Sequence, residues 1–141
     1  MGEKDYSHRD VLDKLGIAPG QTLAFVQLDS NLDGELRERA LQRAGRPPAG
    51  PSESFTLGLI RVNAATDVVR LLDGLKARMA PAGALWLLSP KRGQPGYVDQ
   101  REVIAAGLAA GLVDNKSCSV SDVTSGLRLV LRKADRPRAG C

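Results

Sequence analysis

The sequence predicts an α/β domain: a three-layer α/β/α sandwich with a mainly parallel sheet that ends in an antiparallel β-hairpin. Three observations predict it. Apolar runs typical of strands alternate with helical patterns along most of the chain, as they do in successive βαβ units. Residues 83–89, GALWLLS, are apolar at almost every position, as a strand covered on both faces must be. The last two apolar runs follow each other after a short turn, which indicates an antiparallel pair.

The first half of the chain begins with a short predicted helix over residues 6–16, with Ser7 as its N-cap and Gly16 as its stop. A turn at Pro19 and Gly20 leads into a strand over residues 21–28. The pattern DGELRERALQRAG then predicts a helix whose apolar face carries Leu36, Ala40 and Leu41 and which Gly45 ends. The proline-rich residues 46–54 predict a surface loop.

The second half repeats this alternation. Residues 55–62 predict a strand, Thr66 an N-cap, and the following apolar positions a helix that ends before Pro81. After the strand at 83–89, Asp99 and Glu102 form a capping-box pattern at the start of a helix over residues 100–110. Strands at residues 112–120 and 126–133 complete the order α-β-α-β-α-β-α-β-β. We therefore expect a single domain over residues 1–133.

Composition narrows the classes of function. The 141 residues are 43% hydrophobic and 26% charged, which is typical of a globular domain. The formal net charge of +4 lies mainly in the last strand and in residues 134–141, which we expect to form a flexible basic tail. No aromatic side chains alternate with these cations, so the sequence does not favour a nucleic-acid partner. The absence of long apolar runs excludes a membrane partner and, with two cysteines far apart in sequence, favours a cytoplasmic protein.

Four stretches carry a resemblance to a known family: KLGIAPGQ, LDGELRERA, GALWLLSPKRGQPGYV and AGLVDNKSCSVSD. Together they resemble an uncharacterised bacterial family, a domain of unknown function common in actinobacteria. The most specific part is the Trp-x-x-x-Pro-Lys segment from Trp86 to Lys91. The chain departs from that family at Thr124, where the family has a tryptophan, and in the loop at 46–54. The resemblance implies a fold and a cytoplasmic location, without an activity.

A more distant resemblance is to the class I methyltransferase fold, which is Rossmann-like. MAPAGALWLLSP is similar to the Pro-Gly-Gly strand of those enzymes, and the last helix and hairpin are similar to their C-terminal half. Those enzymes place a glycine-rich loop after the first strand, where it lets the backbone approach the cofactor. Here the loop is LDSNLDGE, with Gly34 as its single glycine. We therefore predict a methyltransferase-like fold without a cofactor.

The candidate site follows from the predicted sheet, because ligands of open α/β sheets bind beyond the carboxyl ends of the strands. SPKRGQPG leaves the third strand at that edge. Lys91 and Arg92 can pair there with a small anionic ligand, and Gly93 can let backbone N–H groups approach it. Asp29 and Asp33 follow the first strand and are the candidate carboxylates of the same edge.

Two interpretations of the stretch from Asp29 to Gly34 remain open. Its alternating oxygen-bearing residues resemble the first half of a calcium loop, but Ala40 stands where a bidentate glutamate is needed. The alternative is that Asn31 or Asp33 caps the helix that follows. Metal binding is not predicted. One histidine and two separated cysteines provide too few nitrogen and sulfur ligands for a zinc site.

Three functions are compatible with these residues. The sequence contains no P-loop, no Gly-x-Gly-x-x-Gly turn and no Gly-x-Ser-x-Gly elbow, and we assign no catalytic residue. A non-catalytic binding or regulatory module, acting through a protein partner or a homo-oligomer, therefore comes first. A small-molecule enzyme or binder that uses the loops around Asp29 and Lys91 comes second. A nucleic-acid-associated protein that uses the basic C-terminus comes third.

Overall fold

A computed structural model describes residues 10–132. The elements alternate as the sequence predicts, and they are α1 (Val11–Leu15), β1 (Leu23–Val26), α2 (Ser30–Ala44), β2 (Phe55–Arg61), α3 (Val68–Lys76), β3 (Met79–Pro90), α4 (Gln100–Ala109), β4 (Leu112–Ser119) and β5 (Thr124–Leu131). The expected tail at 134–141 and the expected cap Ser7 lie outside the described residues.

One five-stranded sheet organises the described chain, in the order β1-β2-β3-β5-β4. The strands β1, β2 and β3 are parallel, and β5 runs antiparallel to both β3 and β4. The last strand of the chain therefore inserts between β3 and β4, and β4 becomes an edge strand. The predicted mainly parallel sheet that ends in an antiparallel hairpin is confirmed.

Helices cover both faces of this sheet. On one face α1 and α2 pack their apolar side chains, including Leu12, Leu15 and Ala40, on Trp86 of β3. On the other face α3 and α4 pack on the same strand, with Leu72 among the fully buried side chains. Residues 83–88 of β3 are buried throughout, as the unbroken apolar run predicts. The three-layer sandwich is confirmed.

The central tryptophan joins strand and helix. Trp86 is completely buried, and its Nε1 donates a hydrogen bond to the carbonyl oxygen of Leu15 at 2.9 Å. That carbonyl belongs to the last turn of α1, where an intrahelical partner is missing. The indole therefore fills the core and satisfies a helix end at once.

Helix starts are where the structure differs most from the sequence prediction. Asp10 caps α1 by accepting from the N–H of Leu12, so the described helix begins at Val11. Asp67 caps α3, and the predicted cap Thr66 instead accepts from the N–H of Asn63. In each case the stronger carboxylate acceptor lies next to the first helical residue. The predicted cap Asp99 of α4 is confirmed.

Strand lengths also differ. The strand β1 has four residues instead of the eight predicted, and β3 begins at Met79, where the sequence predicts the end of a helix. The loop at 46–54 lies along β1: the N–H of Ala49 donates to the carbonyl oxygen of Leu23 at 2.7 Å. This loop covers part of the open edge of β1, which would otherwise offer unpaired backbone groups.

Candidate functional site

A cleft lies at the carboxyl end of β3, where the sequence predicts an anion contact. It has a volume of about 220 Å³ and is bounded by the end of β3, the loop that follows it, the start of α4 and the start of β5. Its lining includes Lys91 and Arg92 together with two serine hydroxyls, from Ser89 and Ser125. The described lining contains no carboxylate, so its formal charge is positive.

Lys91 is held in place by the turn between β4 and β5. Its Nζ donates to the hydroxyl of Ser119 at 2.7 Å, and its backbone N–H donates to the carbonyl oxygen of Val123 at 2.9 Å. Both contacts reach across the sheet from β3 to the hairpin. The ammonium group is therefore fixed beside the cleft, which reduces the side-chain entropy that it loses when it contacts a ligand.

Arg92 and Gly93 shape the loop in different ways. The guanidinium of Arg92 lies 5.7 Å from the centre of the Tyr97 ring, a cation–π contact at the rim of the cleft. Gly93 has a φ of +90° in the turn that the N–H of Gln94 closes on the carbonyl oxygen of Lys91. A left-handed residue there favours glycine. Gly93 makes this turn and is not among the residues that line the cleft.

Asp29 is the N-cap of α2. Its carboxylate accepts from the backbone N–H groups of Asn31 and Leu32 at 2.8 and 3.0 Å. The N-cap is therefore Asp29 rather than Asn31 or Asp33, although Asp33 contributes at the same helix end, because its Oδ2 accepts from the N–H of Asp29 at 2.9 Å. The N–H groups of Leu32 and Asn31, and then the charge of Arg61, lower the pKa of Asp29, because each favours the ionised carboxylate.

Asp33 has a different partner, Arg61 at the end of β2. Nε of Arg61 lies 2.6 Å from Oδ2 of Asp33, and Nη2 lies 2.8 Å from Oδ1, so the pair is bidentate. The same Nη2 donates to the hydroxyl of Thr124 at 2.7 Å. The two charged side chains are buried, with 2% of Asp33 and 9% of Arg61 exposed. This group ties α2, β2 and β5 together at the carboxyl edge of the sheet.

The sequence interpretation missed Arg61, although a signal was present. FTLGLIRV carries a single charge at its end, and a buried arginine needs a carboxylate partner. Asp29 and Asp33, the candidate carboxylates of this edge, do not line the Lys91 cleft. The two carboxylates line a separate groove with Phe25 and Arg37, on the other side of β2 from the Lys91 cleft.

A tight turn follows β2 and leads into α3. The N–H of Ala65 donates to the side-chain oxygen of Asn63 at 2.8 Å, and Asp67 accepts from the N–H of Arg70. An open groove of about 470 Å³ lies between this turn and Gln27, which follows β1. Gln27 has a φ of +56°, a left-handed conformation that glycine adopts at lower cost. The side-chain oxygens of Asn63 and Asp67 therefore already accept hydrogen bonds, in this turn and at the start of α3.

One protein family and several relatives match most of this chain. Residues 12–133 match the family described as proteins of unknown function, DUF3052. The chain belongs to this family. The uncharacterised protein Rv2239c of Mycobacterium tuberculosis is 28% identical to this DUF3052 protein over 130 residues, which cover 90% of this chain and 80% of the relative. The family resemblance is confirmed.

Solved structures that resemble this DUF3052 protein include several methyltransferases. An S-adenosylmethionine-dependent methyltransferase from Aquifex aeolicus is 12% identical, with a TM-score of 0.64 over 88% of this chain and 90% of that chain. The ribosomal protein L11 methylase of Lactobacillus delbrueckii is 12% identical, with a TM-score of 0.60 over 86% of this chain and 75% of that chain. At this identity the likeness shows the fold alone, and the predicted methyltransferase-like fold is confirmed.

The residues of this chain do not fit S-adenosylmethionine at the ends of β1 and β2. A nucleoside cofactor needs backbone that it can approach closely and polar groups that are free to bind it. Here Gln27 occupies the left-handed position after β1, and the next glycine along the chain, Gly34, lies inside α2. Asp29 and Asn63 bond to their own backbones.

Residues 10–132 contain no group of three His, Cys, Asp or Glu side chains that could hold a metal ion. Within the same range no helix is long and apolar enough to cross a membrane. Cys118 is half-buried, and burial raises the pKa of its thiol although Lys14 and Lys116 oppose the shift. A raised pKa leaves less of the reactive thiolate at neutral pH.

Proposed function

We propose that this DUF3052 protein is a non-catalytic binding module that holds a small anionic ligand in the Lys91 cleft. The observation that carries the proposal is the lining of the cleft, in which two cations meet two hydroxyls and no described carboxylate. A lysine already held by Ser119 and Val123 supports the same proposal. On this proposal Lys91 and Arg92 supply charge, and Gly93 supplies the turn that places them.

The size of the cleft supports a small ligand. Pockets for drug-sized molecules are typically about 300–1,000 Å³, and this cleft is about 220 Å³. Such a volume suits a compact anion or the charged end of a larger molecule. Asp29 and Asp33 lie outside the cleft, which supports binding without a carboxylate as general acid or base.

Calorimetric titration tests the proposal. The purified protein is titrated at constant ionic strength with inorganic phosphate, acetate and S-adenosylmethionine. We expect binding of at least one of the two small anions and none of S-adenosylmethionine. The substitutions Lys91→Ala and Arg92→Ala should each weaken that binding about tenfold or more, because each removes a charged contact.

The matched control is Arg70→Ala, which removes a cation from the open groove beside Gln27. It should leave anion binding unchanged. Binding of S-adenosylmethionine that Arg70→Ala weakens would overturn the proposal in favour of a methyltransferase-type enzyme. Anion binding that is equal in all four proteins would show that the Lys91 cleft is not the site.

We further propose that the protein works in the cytoplasm, in keeping with the free thiol of Cys118. A protein partner or a second copy of the chain would act through the ligand-bound form. Self-association can be tested separately from anion binding, because size-exclusion chromatography with and without the bound anion reports it directly.

A further inference from the structure

A row of serines crosses three neighbouring strands beside the Lys91 cleft. Ser89 of β3 is paired with Ser125 of β5, and Ser125 is paired with Ser119 of β4. Directly paired residues project to the same face of a sheet, with Cα atoms about 4.5–5.5 Å apart. The three hydroxyl-bearing side chains therefore form one line on the face that α4 covers.

The three hydroxyls differ in their partners. The Ser119 hydroxyl accepts from Nζ of Lys91 and donates to the carbonyl oxygen of Ser121 at 3.2 Å. Ser89 and Ser125 both line the cleft, and neither side chain makes a hydrogen bond within residues 10–132. Both are half-buried, and no buried side-chain oxygen in that range lacks a partner, so their hydroxyls are accessible from the cleft.

The free hydroxyls are therefore placed next to fixed positive charge. Ser119 holds the ammonium of Lys91 at the end of the row, and Arg92 lies at the rim on the Tyr97 ring. A hydroxyl can donate one hydrogen bond and turn to suit its acceptor. A carboxylate accepts hydrogen bonds mainly in its own plane, whereas these two donors and two cations come from two strands and from the loop after β3. They suit a tetrahedral oxyanion with three peripheral oxygens and close to two negative charges.

We infer that the ligand of the Lys91 cleft is a phosphate group, either free or at the end of a small phosphorylated metabolite, and that Ser89 and Ser125 select it over a carboxylate. This inference rests on the proposed function, because it names the ligand class of the same cleft. Lys91 and Arg92 supply attraction to any anion. The two serine hydroxyls supply the directional donors that a second and third oxygen require.

The test compares inorganic phosphate with acetate on four proteins by calorimetry at constant ionic strength. These are the unsubstituted chain, Ser89→Ala/Ser125→Ala, Lys91→Ala and the control Ser117→Ala. Ser117 is an exposed serine of β4 that does not line the cleft. Circular dichroism and the emission of Trp86 establish that each variant is folded.

We expect the unsubstituted chain to bind phosphate at least about tenfold more tightly than acetate, a difference of about 1.4 kcal/mol. The double serine variant should lose most of that preference and keep its weak affinity for acetate. Lys91→Ala should weaken both anions, and Ser117→Ala neither. Methyl phosphate, titrated next, separates the two sources: binding equal to that of phosphate indicates an esterified ligand, and its exclusion indicates the free ion.

A cleft that binds anions without selecting phosphate and a cleft that binds no anion would give different results. Equal binding of phosphate and acetate, lost in Lys91→Ala but unchanged in the serine variant, would overturn the phosphate inference and leave the anion cleft intact. Phosphate binding that neither the serine variant nor Lys91→Ala weakens would overturn both.

Discussion

Arg61 and Asp33 form a bidentate ion pair that is buried at the carboxyl edge of the sheet, with N–O distances of 2.6 and 2.8 Å. A buried charge without its partner is costly, whereas a complete pair is close to neutral. This pair is positioned between the two regions that the sequence singled out, the loop after β1 and the loop after β3. It connects them through Thr124, which is paired with Pro90 of β3.

Replacing one member of this pair should destabilise the fold strongly. We expect Arg61→Met to lower the free energy of unfolding by about 3–5 kcal/mol, because the carboxylate of Asp33 is left buried without its counter-charge. The double variant Arg61→Met/Asp33→Leu should recover part of that loss. It cannot recover all of it, since the N–H of Asp29 and the hydroxyl of Thr124 also lose a partner.

Urea denaturation followed by circular dichroism measures both effects. The comparison variant is Arg101→Ala, which breaks the exposed ion pair with Asp99 and should move the midpoint far less than Arg61→Met does. A loss below about 1 kcal/mol for Arg61→Met would show that the pair does not hold the strand edge together.

The hydrogen bond of Trp86 gives a second prediction. We expect Trp86→Phe to cost about 1–3 kcal/mol beyond the loss of ring volume, because the carbonyl oxygen of Leu15 is left without its donor in the core. Tyr97→Phe is the matched control, since its hydroxyl makes no hydrogen bond within residues 10–132. Thermal melts of the two variants should therefore differ clearly. Equal melting temperatures would contradict the role given to the indole N–H.

Acid should weaken the fold through its helix caps. The side chain and then the N–H of Arg101 lower the pKa of Asp99 to about 2, and the N–H of Leu12 lowers the pKa of Asp10. A carboxyl whose pKa is lower in the folded state stabilises the fold fully above its unfolded value of about 3.9. The stabilisation is lost as the pH falls through the folded value, here between about pH 4 and pH 2.

Urea midpoints measured from pH 6 to pH 2 check this dependence. Asp99→Asn keeps a side-chain acceptor for the cap but cannot titrate, so its midpoint should fall less steeply over the same range. Asp122→Asn, in the exposed β4–β5 turn, is the control and should follow the unsubstituted chain. Identical slopes for Asp99→Asn and the unsubstituted chain would refute the assignment to this cap.

Two glycines with opposite surroundings give a fourth prediction. A Cβ at Gly58 of β2 would lie 2.7 Å from Cδ2 of Leu85 and 3.1 Å from the Phe55 ring. Gly58→Ala should therefore cost about 1–3 kcal/mol through overpacking of a buried core. A Cβ at Gly34 in α2 would meet nothing within 4 Å, so Gly34→Ala should add about 0.5–1 kcal/mol through helix propensity. Thermal melts of the pair check the signs, and a neutral Gly58→Ala would contradict the close packing of β2 on β3.

By itself the sequence determined the order of the elements and the three layers. Those features depend on hydrophobic periodicity and on local turn chemistry, which are properties of neighbouring residues. The unbroken apolar run at 83–89 predicted the buried central strand, and Asp99 predicted the start of α4. The place of Lys91 at a strand end followed from the same pattern.

The tertiary structure alone decided which side chains meet. Asp33 and Thr124 are both joined to Arg61 although 91 positions separate them, and β5 comes between β3 and β4 although it is last in the chain. The row of Ser89, Ser125 and Ser119 depends on that strand order and its register. Strand order and register are set by the packing of distant segments, so a local pattern cannot specify them. The fold alone brought Ser89 and Ser125 into the cleft, whereas Lys91 and Arg92 could be named from the sequence.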